Sequence, residues 1–342
     1  MKIKAVDLFC GAGGLTHGLS LAGIEVVAGY DIDHTCKYAY STNNSATFYH
    51  KDVTKVTSDE ILEHFKDADL TLLAGCAPCQ PFSRYQGGKD TTKDKKWPLL
   101  YEFSRLIKQT KPNIVTMENV PDVVRHAVYD DFINELEEQG YYIWASKVYC
   151  PDYGMPQIRK RHVLIASLDK EISLIPATHQ KDNYVTVRDA IEHLPPIKAG
   201  EINNKDPLHK SPNLSPLNLK RIQHSKPGGT WKDWPEELRA NCHKKDSGSN
   251  YTGVYARMNW DTPSPSMTTQ CYGYGNGRFG HPIQDRAISL REAAIFQTFP
   301  PDYIFVADGK DFKFKDLGRM IGNAVPVRLG EIIGQSIIKN YI

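Results

Sequence analysis

Two cysteines stand three residues apart in the stretch GCAPCQPFS, from Gly75 to Ser83, and a proline precedes the second one. Cys76 and Cys79 allow three kinds of chemistry: a dithiol that forms and breaks a disulfide, half of a metal site, or one nucleophile beside an inert neighbour. A zinc site needs another close pair of ligands, and the sequence contains no second C-x-x-C. The redox pair and the single nucleophile both stay open on this stretch alone.

A carboxylate and an amide help to choose between these alternatives. The segment MENV, residues 117–120, ends a strand-like run, so Glu118 and Asn119 should lie beside the cysteine segment in a parallel sheet. A disulfide-exchanging enzyme has no need of Glu118 there. A reaction that adds a thiolate to a heterocycle and protonates a ring nitrogen does need such a group. The pattern therefore favours Cys79 as a nucleophile.

A glycine-rich stretch, DLFCGAGG, is typical of a strand that enters a tight turn and then a helix. Asp31 follows the next strand-like run, where an acidic residue can hold the hydroxyls of a ribose. Because position 16 is Thr16, the pattern G-x-G-x-x-G is incomplete and the turn need not hold a pyrophosphate. A nucleoside without phosphates fits better, and S-adenosylmethionine is the candidate. Glycine turns of this kind also occur in α/β proteins that bind no such ligand.

The elements that must position these residues follow from the hydrophobic pattern. Residues 1–170 alternate short apolar runs with amphipathic ones, which predicts an α/β domain with a mainly parallel sheet covered on both faces. Ligands of such sheets bind outside the carboxyl ends of the strands. Residues 171–317 are richer in proline, histidine and polar turns, which predicts a smaller, loop-rich domain. Residues 318–342 are expected to complete the first domain.

The composition narrows the class of protein further. The chain has 342 residues, of which 40% are hydrophobic and 24% charged, as is ordinary for soluble globular proteins. No apolar run reaches the roughly 18 residues of a membrane helix, and no signal peptide is recognisable. Seven cysteines are an odd and sparse set, so a reducing, cytoplasmic setting is expected. The net charge of +2 neither demands nor excludes a nucleic-acid partner.

Six segments in order carry a resemblance to a known family: DLFCGAGG, GCAPCQPFS, MENV, QIRKR, SLREAAIFQTFPPDY and GNAVP. Together they resemble the C5-cytosine DNA methyltransferases, most of all the single-chain enzymes of bacterial restriction–modification systems. The resemblance covers residues 1–170 and 257–342 and implies a Rossmann-like, S-adenosylmethionine-dependent methyltransferase domain. Residues from about 175 to 255 match no motif and stand where that family has its target-recognition segment. Cys76 and Ala77 depart modestly from the family pattern, and so does Pro301.

The resemblance implies methyl transfer to C5 of a cytosine that has swung out of duplex DNA. It assigns the attack at C6 to Cys79 and the proton at N3 to Glu118. In QIRKR it implies that Arg161 contacts O2 of the base, whereas Arg159 supports the cysteine or a nearby phosphate. The tRNA-methylating branch of the same family, an inactive DNA-binding protein and a dithiol oxidoreductase stay open as alternatives.

Further contacts are expected for the cofactor and for DNA. The predicted cofactor contacts are Phe9, Gly11, Ala12, Gly13, Gly14, Leu15, Asp31, Ile32, Asp52, Val53, Pro78, Leu99, Asn323 and Val325. Phe9 and Ile32 should form apolar walls, and Asp52 should accept a hydrogen bond from the adenine amino group. The predicted DNA contacts are Ser83, Arg221, Lys226, Arg257 and Arg278, although such charges are also typical of solvated loops. The resemblance further implies a bacterial or phage-encoded, nucleoid-associated monomer without a metal, with a cognate restriction endonuclease acting on the same DNA site.

Overall fold

The computed structural model of the chain describes residues 1–78, 98–248 and 250–341. The chain divides into two compact units. The first unit comprises Met1–Tyr153, Lys160–Ala177 and Val325–Ile342, and the second comprises Gly154–Arg159 and Thr178–Ala324. Residues 154–159 and 318–324 thus pack in the second unit, whereas the sequence placed them in the first. None of the helices among the described residues is long and apolar enough to cross a membrane.

A seven-stranded sheet forms the centre of the first unit. Its strands are β1 (Ile3–Leu8), β2 (Glu25–Asp31), β3 (Thr47–His50), β4 (Leu70–Gly75), β5 (Ile114–Asn119), β6 (Tyr142–Tyr149) and β8 (Lys160–Ser167). The short strand β7 (Gln157–Ile158) lies between β6 and β8 in the sequence but belongs to the second unit. Their order across the sheet is β3-β2-β1-β4-β5-β8-β6. The first five run parallel, and β8 is antiparallel to β5 and β6. The expected mainly parallel sheet is confirmed.

The order of the strands places the ligand-binding edge. Strand β1 lies between β2 and β4, so the chain leaves β1 toward one side of the sheet and continues on the other side. In open α/β sheets the crevice at such a reversal, outside the carboxyl ends of the strands, is where ligands bind. The glycine-rich turn after β1 and the segment that begins at Cys76 after β4 both lie at that edge.

Six α-helices belong to the described part of the first unit. They are α1 (Gly14–Leu21), α2 (Lys37–Asn43), α3 (Ser58–His64), α4 (Pro98–Thr110), α5 (Ala127–Glu138) and α10 (Val327–Tyr341). One core cluster packs Leu73 and Met117 of the sheet with Phe103 of α4 and Phe132 of α5. Burial of such large apolar side chains is the main stabilising contribution to the unit.

Helices α1 and α10 approach each other closely because of a glycine. A Cβ atom at Gly18 in α1 would collide with the backbone of Val327 and Glu331 in α10. Gly330 is also close in the reverse direction, since a Cβ there would lie 3.0 Å from the carbonyl oxygen of Leu15. The helix that follows the glycine-rich turn is therefore packed, backbone against backbone, on the helix at the other end of the chain.

The second unit contains little regular structure. Its elements are α6 (Val187–Ile191), α7 (Pro216–Gln223), α8 (Leu290–Phe296), α9 (Phe314–Asn323), the pair β7 and β11 (Ser264–Pro265), and the pair β9 (Ile202–Asn203) and β10 (Asp206–Lys210). A buried ion pair joins Arg286 to Glu292, with Nη2 to Oε1 at 2.7 Å. Burial alone would raise the pKa of Glu292, but Arg286 outweighs that effect and the pKa falls to about 2. This ion pair anchors the first turn of α8 among the loops.

Candidate active site

Three chain segments meet at the carboxyl edge of β4 and β5. Gly75 in β4 pairs with Met117 in parallel β5, and Glu118 pairs with Val163 in antiparallel β8. The residues that follow β4, the end of β5 and the start of β8 are therefore neighbours. Two of the predicted site residues in this region, Cys79 and Ser83, lie outside the described residues.

Glu118 lies at this edge and has a partner for each of its oxygens among the described residues. Its Oε1 lies 2.5 Å from Nε of Arg161 on β8, and its Oε2 accepts a hydrogen bond from the Cys76 thiol with Sγ at 2.8 Å. Only 3% of the Glu118 surface is exposed. A buried carboxylate requires such partners, because the loss of hydration is otherwise uncompensated. The structure thus brings together Glu118 and Arg161, two residues that the resemblance assigned to the same base, and adds Cys76.

Asn119 connects β5 to the segment that leads to Cys79. Its Nδ2 donates to the carbonyl oxygen of Ala77 at 3.2 Å, and its Oδ1 accepts from the backbone N–H of Val120 at 2.8 Å. The amide therefore fixes the backbone immediately before Pro78, which is half-buried. As the sequence predicted, Asn119 lies beside the cysteine segment, and it also holds the backbone of that segment at Ala77.

The other arginine of QIRKR has its contacts elsewhere. Arg159 is 3% exposed and belongs to the second unit, where its Nη1 donates to the carbonyl oxygen of Met267 at 2.9 Å. Its Nη2 lies 3.4 Å from the carbonyl oxygen of Gly322. Gln157 binds the same region through the carbonyl oxygen of Phe296 at 2.9 Å. Support of the cysteine or of a phosphate by Arg159 remains a prediction.

The turn after β1 has the backbone that close approach of a ligand requires. Phe9, Gly11 and Gly13 have φ values of 60°, 52° and 91°, in the left-handed region that favours glycine. A Cβ on Gly11 would meet no atom of the described residues within 4 Å, so the turn is open on that side. The N–H of Gly11 donates to Oδ2 of Asp31 at 2.8 Å, and the N–H of Asp33 donates to Oδ1 at 2.8 Å.

The surroundings of the turn fit a nucleoside better than a phosphate. Asp31 and Asp52 suit the hydroxyl and amino donors of a nucleoside, whereas they would repel a phosphate. Ile32 has an apolar side chain that is 66% exposed next to Asp31, as a wall for a purine would require. Asp52 accepts from the N–H of Thr54 at 3.0 Å through Oδ1, and a carboxylate has further lone pairs with which to accept from a ligand.

The remaining predicted cofactor residues differ in accessibility. Ala12, Gly14, Leu15 and Val53 are buried and support the turn from within the unit, while Leu99 at the start of α4 is half-buried. Val325 is buried in the first unit, and Asn323 is exposed at the end of α9 in the second unit. Whether each contacts a cofactor remains a prediction.

Asp7 is a residue of this region that the sequence did not single out. It is 1% exposed at the end of β1, and its Oδ2 accepts from Oγ1 of Thr16 at 2.7 Å. Thr16 in turn lies 3.1 Å from the hydroxyl of Tyr40. Burial raises the pKa of Asp7 to about 7, although the Thr16 hydrogen bond lowers it and the charge of Asp31 raises it further. The threonine at position 16, where the glycine pattern would have a glycine, was the feature of the sequence that could have indicated a polar partner for Asp7.

The raised pKa of Asp7 predicts a pH-dependent stability. Because folded Asp7 keeps its proton up to its pKa of about 7 and unfolded Asp7 releases it near the ordinary aspartate pKa of 3.8, the wild type loses stability as the pH rises through that window. Asp7→Asn should therefore be more stable than the wild type at pH 8, by up to roughly 4 kcal/mol, and about equal at pH 4. Urea unfolding at both pH values measures the difference. Asp59→Asn, which removes an exposed carboxylate, is the control, and an equal effect of Asp7→Asn at both pH values would contradict the expectation.

The predicted DNA contacts of the second unit fall into two groups. Arg257 is 4% exposed, donates to the carbonyl oxygens of Ser225 and Ile222 at 2.9 Å and pairs with Asp285. Arg221 is also buried and lies between the rings of Trp234 and Tyr255, at 5.5 Å and 5.2 Å from their centroids. Both guanidinium groups therefore stabilise the unit itself, a role that the sequence did not indicate.

Lys226 and Arg278 are more accessible. Lys226 is exposed, and Arg278 lines a pocket of ≈ 460 Å³ with Asn259, Thr262 and Ser266. Nη1 of Arg278 donates to the carbonyl oxygen of Gly228 at 2.8 Å, which orients the guanidinium group on the pocket wall. Both residues can offer positive charge to a ligand of the second unit.

Comparison with known proteins gives consistent results. The family model described as C-5 cytosine-specific DNA methylase matches residues 3–339. The chain is 53% identical over 335 residues to the type II methylase M.HgiDII of Herpetosiphon aurantiacus, covering 97% of this chain and 94% of that protein. It is 31% identical over 345 residues to the type II methyltransferase M1.HphI of Haemophilus parahaemolyticus, covering 99% and 87% of the two chains.

Solved structures share the fold. A protein encoded within an E. coli prophage and described as a DNA modification methyltransferase superposes with a TM-score of 0.75 at 22% identity, covering 99% of each chain. The Entamoeba histolytica methyltransferase EhMeth gives a TM-score of 0.66 at 17% identity, covering 100% of this chain and 99% of its own. At these identities the likeness is one of fold.

Proposed function

Because the chain belongs to the C-5 cytosine-specific DNA methylases and is a DNA (cytosine-5)-methyltransferase of type II, restriction–modification kind, we propose the chemistry of its site as follows. The protein methylates C5 of a cytosine that is flipped out of duplex DNA, through a covalent bond between Cys79 and C6. The observation that carries this proposal is the buried Glu118–Arg161 pair at the strand edge where β4 leads toward Pro78 and Cys79.

The residues of the first unit would act in sequence on the base. The Cys79 thiolate forms a bond to C6, and the ring electrons that this displaces make C5 nucleophilic. Glu118 supplies a proton at N3, so that negative charge does not accumulate on the ring. Arg161 holds the Glu118 carboxyl group and donates to O2 of the base. After methylation, loss of the C5 proton and of the Cys79 sulfur restores the C5–C6 double bond.

S-adenosylmethionine supplies the methyl group as a sulfonium that carries its own positive charge. In the proposal the glycine-rich turn lies against its nucleoside, Asp31 holds the ribose hydroxyls, and Asp52 accepts from the adenine amino group. Ile32 covers the purine ring. The open side of Gly11 and the exposed apolar surface of Ile32 support this assignment.

The second unit would hold the DNA. We assign Lys226 to a phosphate and Arg278 to the edge of a base or a phosphate, because these two of the predicted residues are accessible in the second unit. Ser83 keeps its predicted DNA contact, and a cognate endonuclease that cuts the same unmethylated site is the expected partner. Arg221 and Arg257 would act by holding the scaffold.

The substrate is tested directly with the tritiated methyl donor. The protein is incubated with unmethylated duplex DNA or with tRNA, and label is expected in the DNA alone. Bisulfite sequencing of DNA from cells that express the protein then reports the modified cytosine and its sequence context. Label found in tRNA alone would overturn the proposed substrate in favour of the tRNA-methylating branch.

Glu118→Gln should lower kcat by about 10³-fold, because an amide can occupy the same space but cannot give a proton to N3. The matched control is Glu102→Gln, which removes a carboxylate that pairs with Arg105 on the surface of α4 at 2.7 Å. Single-turnover methylation of duplex DNA measures both variants. A Glu118→Gln enzyme as active as Glu102→Gln would exclude a proton-donating role.

A further inference from the structure

The Cys76 thiol is bonded to the carboxylate to which the proposed function assigns the proton at N3. Cys76 is the first residue after β4, and its Sγ donates to Oε2 of Glu118 at 2.8 Å. The parallel register of β4 and β5, with Gly75 opposite Met117, sets this contact. The sheet therefore contributes directly to the position of this thiol.

The two oxygens of Glu118 have partners of different kinds. Oε1 forms an ion pair with the guanidinium group of Arg161 at 2.5 Å, whereas Oε2 accepts a hydrogen bond from the weak donor of the Cys76 thiol. The terminal torsion of a glutamate is broad, so a contact to one oxygen alone leaves the plane of the carboxyl group poorly defined. The second contact, from Cys76, fixes that plane.

On the basis of the function proposed above, we propose that Cys76 is a positioning residue for Glu118. Its S–H holds Oε2 in the orientation in which this oxygen meets N3 of the target cytosine, and releases the oxygen when the base arrives. A thiol suits this role because it orients an acceptor yet gives way readily to a stronger partner. A hydroxyl would orient the same oxygen but hold it more firmly, and a methyl group would leave the carboxyl group free to rotate.

The effect of Cys76 on the pH dependence of the rate can be measured only if the neighbouring charged and titratable groups do not change their protonation in the same pH range. Arg161 on β8 stays charged at every working pH. His162, the next residue on that strand, lies 2.7 Å from the hydroxyl of Tyr129. Burial lowers the pKa of His162 to about 4, so it is neutral across an assay from pH 6 to 9 or so. A shift of the alkaline limb of the rate profile in Cys76 variants therefore does not arise from His162.

Two substitutions are expected to move the rate profile in opposite directions. A hydrogen bond to a carboxylate favours its ionised form, whereas the reaction uses a protonated carboxyl group. In Cys76→Ala the alkaline limb of the kcat/KM profile should move up by roughly half a pH unit, and in Cys76→Ser it should move down by a similar amount. At the optimum pH, kcat of Cys76→Ala should be about tenfold below that of the wild type, with KM for DNA unchanged. The kcat of Cys76→Ser should be close to the wild-type value.

Cys242→Ala and Cys242→Ser are the matched controls, since Cys242 is exposed in the second unit. They should leave the profile unchanged, and thermal unfolding of all variants checks the fold. Unshifted limbs in both Cys76 variants, or an equal loss of activity and stability in both without a shift, would overturn the positioning role. Isotope-edited infrared titration of the Glu118 carboxylate, identified by difference from Glu118→Gln, tests the contact without turnover. If the wild type methylates no DNA, the proposed function fails, while variant-dependent infrared titrations would still support the contact.

Discussion

Replacing Cys79 by Ala abolishes methyl transfer to duplex DNA, with an expected loss of roughly 10⁴-fold or more. The physical reason is that C5 of cytosine is a poor nucleophile until a thiolate has added to C6, and no other group in the mechanism performs that addition. DNA binding should persist, because the duplex is held mainly by other residues. Filter binding and tritium incorporation measure the two properties separately.

A covalent trap tests the same nucleophile by the formation of an adduct instead of by a loss of activity. Duplex DNA that contains 5-fluorocytosine cannot lose a C5 proton, so the wild type should remain attached to it in the presence of the methyl donor. The adduct should be missing in Cys79→Ala and present in Cys76→Ser, which also separates a methyltransferase from a dithiol enzyme. Wild-type protein that never forms the adduct would refute Cys79 as the nucleophile.

The second large effect is expected on stability. Gly18→Leu places a side chain where the backbone of Val327 and Glu331 already lies, so α1 and α10 must separate. Because backbone cannot yield as a flexible side chain can, we expect a loss of about 4 kcal/mol in the free energy of unfolding, against a total of roughly 5–15 kcal/mol for most domains. Urea unfolding measures the loss, and methyl-donor binding should weaken with it.

Ser20→Leu is the control for this prediction. Ser20 lies in the same helix and is exposed, so the same new side chain should change stability by only about 0.5 kcal/mol. Similar unfolding curves for the two variants would show that the close approach of the helices is dispensable.

Much of the first unit could be predicted from local patterns. Short apolar runs separated by amphipathic segments identified the strands, and parallel pairing then placed MENV beside the segment after β4. The same reasoning could not assign the partners of Arg159 and Arg161. Both belong to one motif, but Arg159 binds carbonyl oxygens of the second unit and Arg161 binds Glu118. The carbonyl partners of Arg159 lie on chain segments more than a hundred residues away, to which no local pattern points.

The sequence also did not indicate which of its polar side chains are buried. In the sequence, Arg257 is one basic residue among several in a loop-rich region. In the structure its guanidinium group binds four carbonyl oxygens and one carboxylate from other turns. The sequence predicts only that Asp7 lies in a strand before a glycine turn, whereas in the structure its carboxyl group is buried and hydrogen-bonded to Thr16. In each case tertiary contacts determine the environment, and they are visible only once the fold is known.

The close packing of α1 on α10 has a consequence for biosynthesis. The helix that supports the glycine-rich turn is made among the first residues, and its partner is made among the last. While the ribosome is still translating the middle of the message, a nascent polypeptide has the turn but lacks the helix that holds α1 in place. The glycine-rich turn therefore gains its full support only once α10 has been made, so the binding site it forms has to be completed late in folding.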